Sequence, residues 1–209
     1  MPRAGLTRGD VVAAGAALAD EVGYQDLTMG LLAERLGVRT PSLYKHVHGL
    51  ADLQHGVATL AMTELADAAR DAMQGRAGLD ALTALLTATR AYVIAHPGRY
   101  TATTGAGFTG QDDPLLAAST RLIDSIAAVL RGYGVGETEM VHAIRAIRCT
   151  LHGFAALQAS DGFQWSGDPD ETFGWMIQFI DRGLRAARCQ RQDDADPGSM
   201  RRVSSSDCA

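Results

Sequence analysis

Residues 27–49 read LTMGLLAERLGVRTPSLYKHVHG. Thr28 stands where a helix N-cap is needed, just ahead of Met29, Leu32, Ala33 and Leu36, which recur at three- and four-residue spacing. Gly37 ends that helix. Thr40 is the next cap, and Pro41 follows at the first helical position, where its missing N–H costs nothing. The spacing predicts a further helix over 41–48, stopped by Gly49, with Leu43 and Val47 facing inward. Only residues 37–39 separate the two short helices. So tight a joint makes them a candidate helix-turn-helix, with the second as the reading helix.

Charge supports that placement once it is read by position. The 209-residue chain carries 24 acids and 19 bases, a formal charge of −5, and a DNA-binding face needs Lys and Arg. A net charge does not say where the charges sit. Residues 1–48 hold five bases and five acids, whereas 49–209 hold 14 bases and 19 acids, so the whole excess is C-terminal. Arg35 to His48 contains Arg35, Arg39, Lys45 and no acid. Composition therefore excludes a uniformly basic nucleic-acid coat and leaves room for a small contact face. Thr40 and Ser42 are short hydroxyl donors at a helix N-terminus, which favours phosphate. Ser42, Lys45 and His46 share the face opposite Leu43 and Val47. Tyr44 can place its hydroxyl on a phosphate while its ring packs on the domain. On spacing and charge alone, a solvated helix face with a core tyrosine fits equally.

Helical periodicity continues in both directions. Thr7 caps a first helix to about Glu21, with Val11, Ala14, Leu18 and Val22 on one face and Gly23 at its end. Arg3, Arg8 and the run 11–19 faintly imitate a signal peptide, but Asp10, Asp20 and Glu21 flank the run, and an amphipathic helix explains it better. Further helices are expected at about 50–73, 79–95, 98–104, 114–133, 137–159 and 169–188, with a Gly-rich loop at 105–113. The polar, Ser-rich tail has no periodicity and reads as disordered. The expected class is all-α with about nine helices. Residues 1–49 are expected to form a three-helix helix-turn-helix domain, 50–189 a larger helical domain, and 190–209 a disordered tail. No apolar run approaches the ~18 residues of a membrane span. Cys149, Cys189 and Cys208 make no C-x-x-C pair, and an odd count gives no disulfide framework, so a reduced, cytoplasmic setting is expected.

The run from Leu27 to His55 resembles the DNA-binding domain of the TetR family of bacterial regulators. The matching residues are Leu27-Thr28-Met29, Leu32-Ala33, Leu36-Gly37-Val38, Pro41-Ser42-Leu43-Tyr44 and His46-Val47, with Gly23 ahead of them. The resemblance implies DNA contacts at Thr40, Pro41, Ser42, Tyr44, Lys45 and His46, and a phosphate contact at Thr28. Arg39 joins them from the base-only block. Two positions depart from the family pattern. Gly30-Leu31 stands where a base is common, and His48-Gly49-Leu50 replaces a basic or polar turn. Arg3, Arg8, Arg35 and Arg39 are the candidates to compensate.

In that family the remaining helices bind ligand and dimerise. Phe173, Met176, Ile177, Ile180 and Leu184 line one face of the last helix, and Trp175, Phe179 and Gly183 a second. A terminal helix that is apolar on two faces buries one in its own core and one against a partner. The penultimate helix offers Ala143, Ala146, Thr150 and Gly153 beside Ile144, Ile147, Leu151 and Phe154. Paired across two chains these make a four-helix dimer interface; the other reading is one monomer's core. Leu151-His152-Gly153-Phe154 resembles the branch of the family with a His-Gly signature, although the tryptophan expected beside it is missing. Arg145, Arg148 and His152 share a face that suits an anionic or carbonyl-bearing ligand if it lines a cavity, and surface ion pairing if it does not. Tyr92, Arg99, Tyr100, Thr104, Phe108 and Trp165 lie near helix breaks and are further ligand candidates.

His46, His48 and His55 do not converge on a metal geometry, so no metal or cofactor is expected. There is no Gly-x-Ser-x-Gly, no Cys/His pair with an orienting acid and no phosphate loop. The expected function is a ligand-responsive transcriptional repressor, not an enzyme. It would bind a palindromic double-stranded operator as a homodimer and be released by a small-molecule effector. The alternatives are a helical ligand-binding module that no longer binds DNA, and a small helical enzyme.

Overall fold

The computed structural model of the chain describes residues 5–164 and 166–195. Among the described residues there are nine α-helices and no strand. They are α1 (Arg8–Val22), α2 (Met29–Arg35), α3 (Thr40–Leu43), α4 (Leu50–Met73), α5 (Gly78–Ala95), α6 (Pro97–Gly105), α7 (Pro114–Gly132), α8 (Glu137–Ala159) and α9 (Pro169–Ala195), with a 3-10 turn at Tyr24–Asp26. The all-α class is as the periodicity predicts. No helix among the described residues is long and apolar enough to cross a membrane.

Local chemistry explains the starts. Thr7 and Asp10 form a reciprocal capping box: Thr7 Oγ1 accepts from Asp10 N, and Asp10 Oδ2 accepts from Thr7 N at 2.9 Å. Such a cap contributes about 1 kcal/mol. Thr28 caps α2 by accepting from Leu31 N at 3.2 Å. Gly37, at φ 63°, closes α2, and Val38 N reaches back to Ala33 O at 3.0 Å.

The described residues divide into two compact units, one within Met1–Ala68 with Ala91–Leu122 and one within Ala69–Arg90 with Ile123–Ala209. This division differs from the expected boundary at Gly49, and α4, α5 and α7 each run through a unit boundary. In the first unit, Leu53 and Val57 of α4 share a core with Val11 and Ala16 of α1, Leu32 of α2, Leu43, Val47, and Ala102 of α6. Burial therefore ties most of α4 to the helix-turn-helix. Val22, assigned to the inner face by spacing, is exposed where α1 stops at Gly23.

In the second unit, the apolar stripes of α8 (Ile147, Leu151, Phe154) and α9 (Phe173, Met176, Ile177) are buried. Tyr133 donates to Asp181 at 2.6 Å, and Arg185 holds the same carboxylate. The last helix continues to Ala195, past the expected end at 188 and six residues into the segment read as a tail. The rest of that segment, 196–209, lies outside the described residues.

Candidate nucleic-acid interface

The candidate reading helix is shorter than the sequence predicts. α3 has regular geometry only over Thr40–Leu43, and its N-cap is the extended Arg39, not Thr40. Beyond it the backbone tightens into three-residue turns: Lys45 N bonds Ser42 O at 3.4 Å, and His46 N bonds Leu43 O at 2.9 Å. Leu43 and Val47 are buried as expected. These two anchors fix which way the segment faces.

The outward face holds most of the expected contacts. Arg39, Pro41, Tyr44 and Lys45 are exposed, and Thr40, Ser42 and His46 are half-buried. Tyr44 is 54% exposed, so its ring stands in solvent instead of packing on the domain. Thr28 is exposed too. Its oxygen is occupied as a cap, which leaves the hydroxyl proton free to donate to a phosphate.

The structure sorts the basic residues. Arg35 is held by Glu21 through two hydrogen bonds, at 2.5 and 2.8 Å. Arg8 is held by Asp52 in the same forked way, at 2.6 and 2.8 Å. Both are therefore engaged in ion pairs at the surface, where Arg8 keeps 48% and Arg35 35% of its side chain exposed. Arg39 and Lys45 have no ion-pair partner among the described residues. Arg3 lies outside them. The sequence reading missed Asp52 and Glu21. Both pairings join separate helices, so spacing marked neither; Asp52 stood out only as an acid in the first turn of α4.

The ligand candidates fall in both units. In the first, Tyr92 is buried and donates to Glu64 at 2.8 Å, and Arg99 reaches the same carboxylate at 3.2 Å. Burial, reinforced by Glu64, pushes the Tyr92 phenol well above its ordinary range. Asp20 of α1 accepts from Arg99 N at 2.8 Å and lies 3.2 Å from His96 Nδ1 and 3.0 Å from Arg99 Nε. The last of these is an ion-pair distance without hydrogen-bond alignment, and Arg99 Nε has no hydrogen-bond partner among the described residues. Tyr100 is half-buried, and Thr104 and Phe108 are exposed.

In the second unit, Arg145, Arg148 and His152 lie on the exposed face of α8. Their unit does not enclose them, which favours the surface reading over the cavity. Trp165 lies outside the described residues. The arginine that this unit does enclose is Arg90, which the sequence reading passed over. Its guanidinium sits 4.5 Å over the Phe173 ring and bonds Gln158 at 2.8 Å and Asp170 at 2.5 Å.

The expected dimer residues are open. Trp175 and Phe179 are 61% and 60% exposed and stack on each other, with ring centroids 5.3 Å apart. Ala146, Thr150 and Gly183 are exposed, and Ala143 and Gly153 half-buried. Nothing crowds the Cα of Gly153 or Gly183. Among the described residues no group of three His, Cys, Asp or Glu could hold a metal.

Two family profiles match the chain. Residues 11–46 match that described as bacterial regulatory proteins, tetR family, and residues 82–180 that described as tetracyclin repressor-like, C-terminal domain. The chain is 32% identical over 185 residues to YobS, an uncharacterised HTH-type transcriptional regulator of Bacillus subtilis, covering 88% of this chain and 95% of that one. A Rhodococcus protein of unknown function has the same fold, with TM-score 0.74 at 20% identity, over 88% of this chain and 98% of that one. BioQ, solved with its natural double-stranded DNA operator, aligns with TM-score 0.64 at 24% identity, over 87% and 99%.

Proposed function

Because the chain belongs to the tetR family of bacterial regulatory proteins, we propose that it is a homodimeric transcriptional regulator, a repressor that a small-molecule effector releases from a palindromic operator. The observation that carries the DNA-binding part is the outward face of α3 and its following turn. There Arg39 and Lys45, which have no ion-pair partner among the described residues, stand beside the hydroxyls of Thr40, Ser42 and Tyr44, all set by the buried Leu43 and Val47. Pro41 and His46 complete the contact set, with Thr28 at the α2 cap. BioQ's operator complex supports the same use of the fold here.

A two-fold dimer would place two such faces on half-sites about 34–36 Å apart, one turn of DNA. The open face of α8 and α9 around Trp175 and Phe179 supplies the apolar surface for that dimer. An effector would act by its differential affinity for dimer geometries that fit and do not fit this spacing. The first unit's Tyr92–Glu64–Arg99 group is the better candidate to sense it, because buried polar groups discriminate ligands more sharply than solvated ones.

The test is selection of duplexes from a random pool, followed by affinity measurements over a range of salt. The reading expects an enriched inverted repeat whose binding weakens steeply with salt. No enrichment, or binding indifferent to salt, would overturn it.

A further inference from the structure

One ion pair lies beside the DNA-facing segment and grips its backbone. Arg8 opens α1, and Asp52 lies in the first turn of α4. Besides its two bonds to Asp52, Arg8 Nη1 donates to the carbonyl of His46 at 3.1 Å. Asp52 Oδ2 accepts the N–H of His48 at 2.7 Å. The pair thus holds the peptide groups on either side of the buried Val47.

These peptide groups need an external partner. Regular helix ends at Leu43, and the bonds that follow, from the N–H groups of Lys45, His46 and Val47 back to Ser42 and Leu43, use neither the carbonyl of His46 nor the N–H of His48. Lys45 and His46 project from that stretch. Without the pair, buried Leu43 and Val47 and those backbone bonds would set its direction, with the His46 carbonyl and the His48 N–H left unheld. The surrounding packing keeps the pair in register. A β-carbon on Gly56 of α4 would come within 2.8 Å of Val12, and one on Gly15 of α1 within 2.9 Å of Leu53, so the two helices meet closely on bare glycines.

We propose that Arg8 and Asp52 are positioning residues for DNA reading: together they fix the turn that carries Lys45 and His46, and Arg8 contributes through that turn instead of through a phosphate. The inference rests on the DNA-binding function proposed above. It reverses what charge alone dictates. Asp52 is an acid beside a DNA-facing surface, so simple electrostatics makes its removal favourable.

The test uses the full-length chain and a duplex recovered from a random pool by the wild type. Affinities are referred to the active fraction found by stoichiometric titration, so loss of folded protein does not count as loss of affinity. Asp52→Asn keeps the shape and removes the charge. Positioning predicts roughly tenfold weaker binding with an unchanged salt slope, in keeping with the loss of a charge-assisted bond. Arg8→Lys keeps the charge and loses the fork, and should weaken binding as much as Arg8→Gln does. Equal or tighter binding by Asp52→Asn would overturn the inference. So would an Arg8→Lys variant that binds like wild type while Arg8→Gln lowers the salt slope by about one, the mark of a direct phosphate contact. Either result leaves the regulatory reading standing. If the wild type enriches no duplex, that reading fails and this inference falls with it.

Discussion

The α-carbon of Gly98 lies against the carbonyl of Ala19 so closely that no β-carbon fits between them. The start of α6 is thereby seated on the end of α1, and Asp20 completes the joint by accepting from Arg99 N at 2.8 Å. His96, the N-cap of α6, makes no side-chain cap bond to the helix; its ring meets Asp20 instead. An acid from α1 does this work for α6.

Gly98→Ala should therefore destabilise the protein by at least the ~1–3 kcal/mol typical of overpacking, because the obstruction is backbone and cannot rotate away. Denaturant unfolding measures it. A variant as stable as wild type would mean that the two helices are not seated as described.

Lys45→Ala should weaken binding to all duplexes by a similar factor and lower the salt slope by about one, since an unpaired exposed lysine acts on phosphate charge. Affinity measured at several salt concentrations on two unrelated duplexes decides it. A loss confined to one sequence would instead place Lys45 on a base edge.

Asp113 gives a pH dependence with a definite sign. It is buried, accepts from Thr109 N at 2.7 Å and Leu115 N at 2.8 Å, and lies 3.0 Å from His55 Nε2. These bonds, led by that from Thr109 N, hold its carboxyl down to about 2. The ordinary unfolded value is about 3.9, so its stabilisation is complete above roughly pH 4–5 and is lost as pH falls toward 2. Asp113→Asn should be less stable at neutral pH and should lose less on acidification across that window. Thermal melts from pH 6 to 2 test this; parallel curves for the two proteins would refute it.

Trp175→Glu or Phe179→Glu should convert the dimer to a folded monomer. Both side chains are mostly solvent-exposed within one chain, so folding should survive, while burying a charge against a second copy should cost roughly 2 kcal/mol or more of association. Sedimentation velocity reads the mass, and circular dichroism the fold. A dimer that persists in both variants would move the interface elsewhere.

The helices and their order were legible in the chain because their signals are local. Thr7, Thr28, Gly23 and Gly37 act within a turn or so of themselves, and the spacing of Leu32, Leu43 and Val47 needs only the helical period to show which side faces the core. The outward position of Arg39, Pro41, Tyr44 and Lys45 was legible for the same reason. The length of α3 was not, since His46 and His48 bond to residues from other helices instead of extending it.

What tertiary structure alone decided is which charges remain available. In sequence, Arg8, Arg35, Arg39 and Lys45 are four bases of one N-terminal segment. In the fold, Glu21 lies 14 residues from Arg35 and Asp52 lies 44 from Arg8, and each carboxylate pairs with its arginine. Likewise Gln158 and Asp170 meet Arg90 from 68 and 80 residues away. Sequence spacing fixes neighbours one turn apart; charge pairing depends on distance in space, which only packing sets.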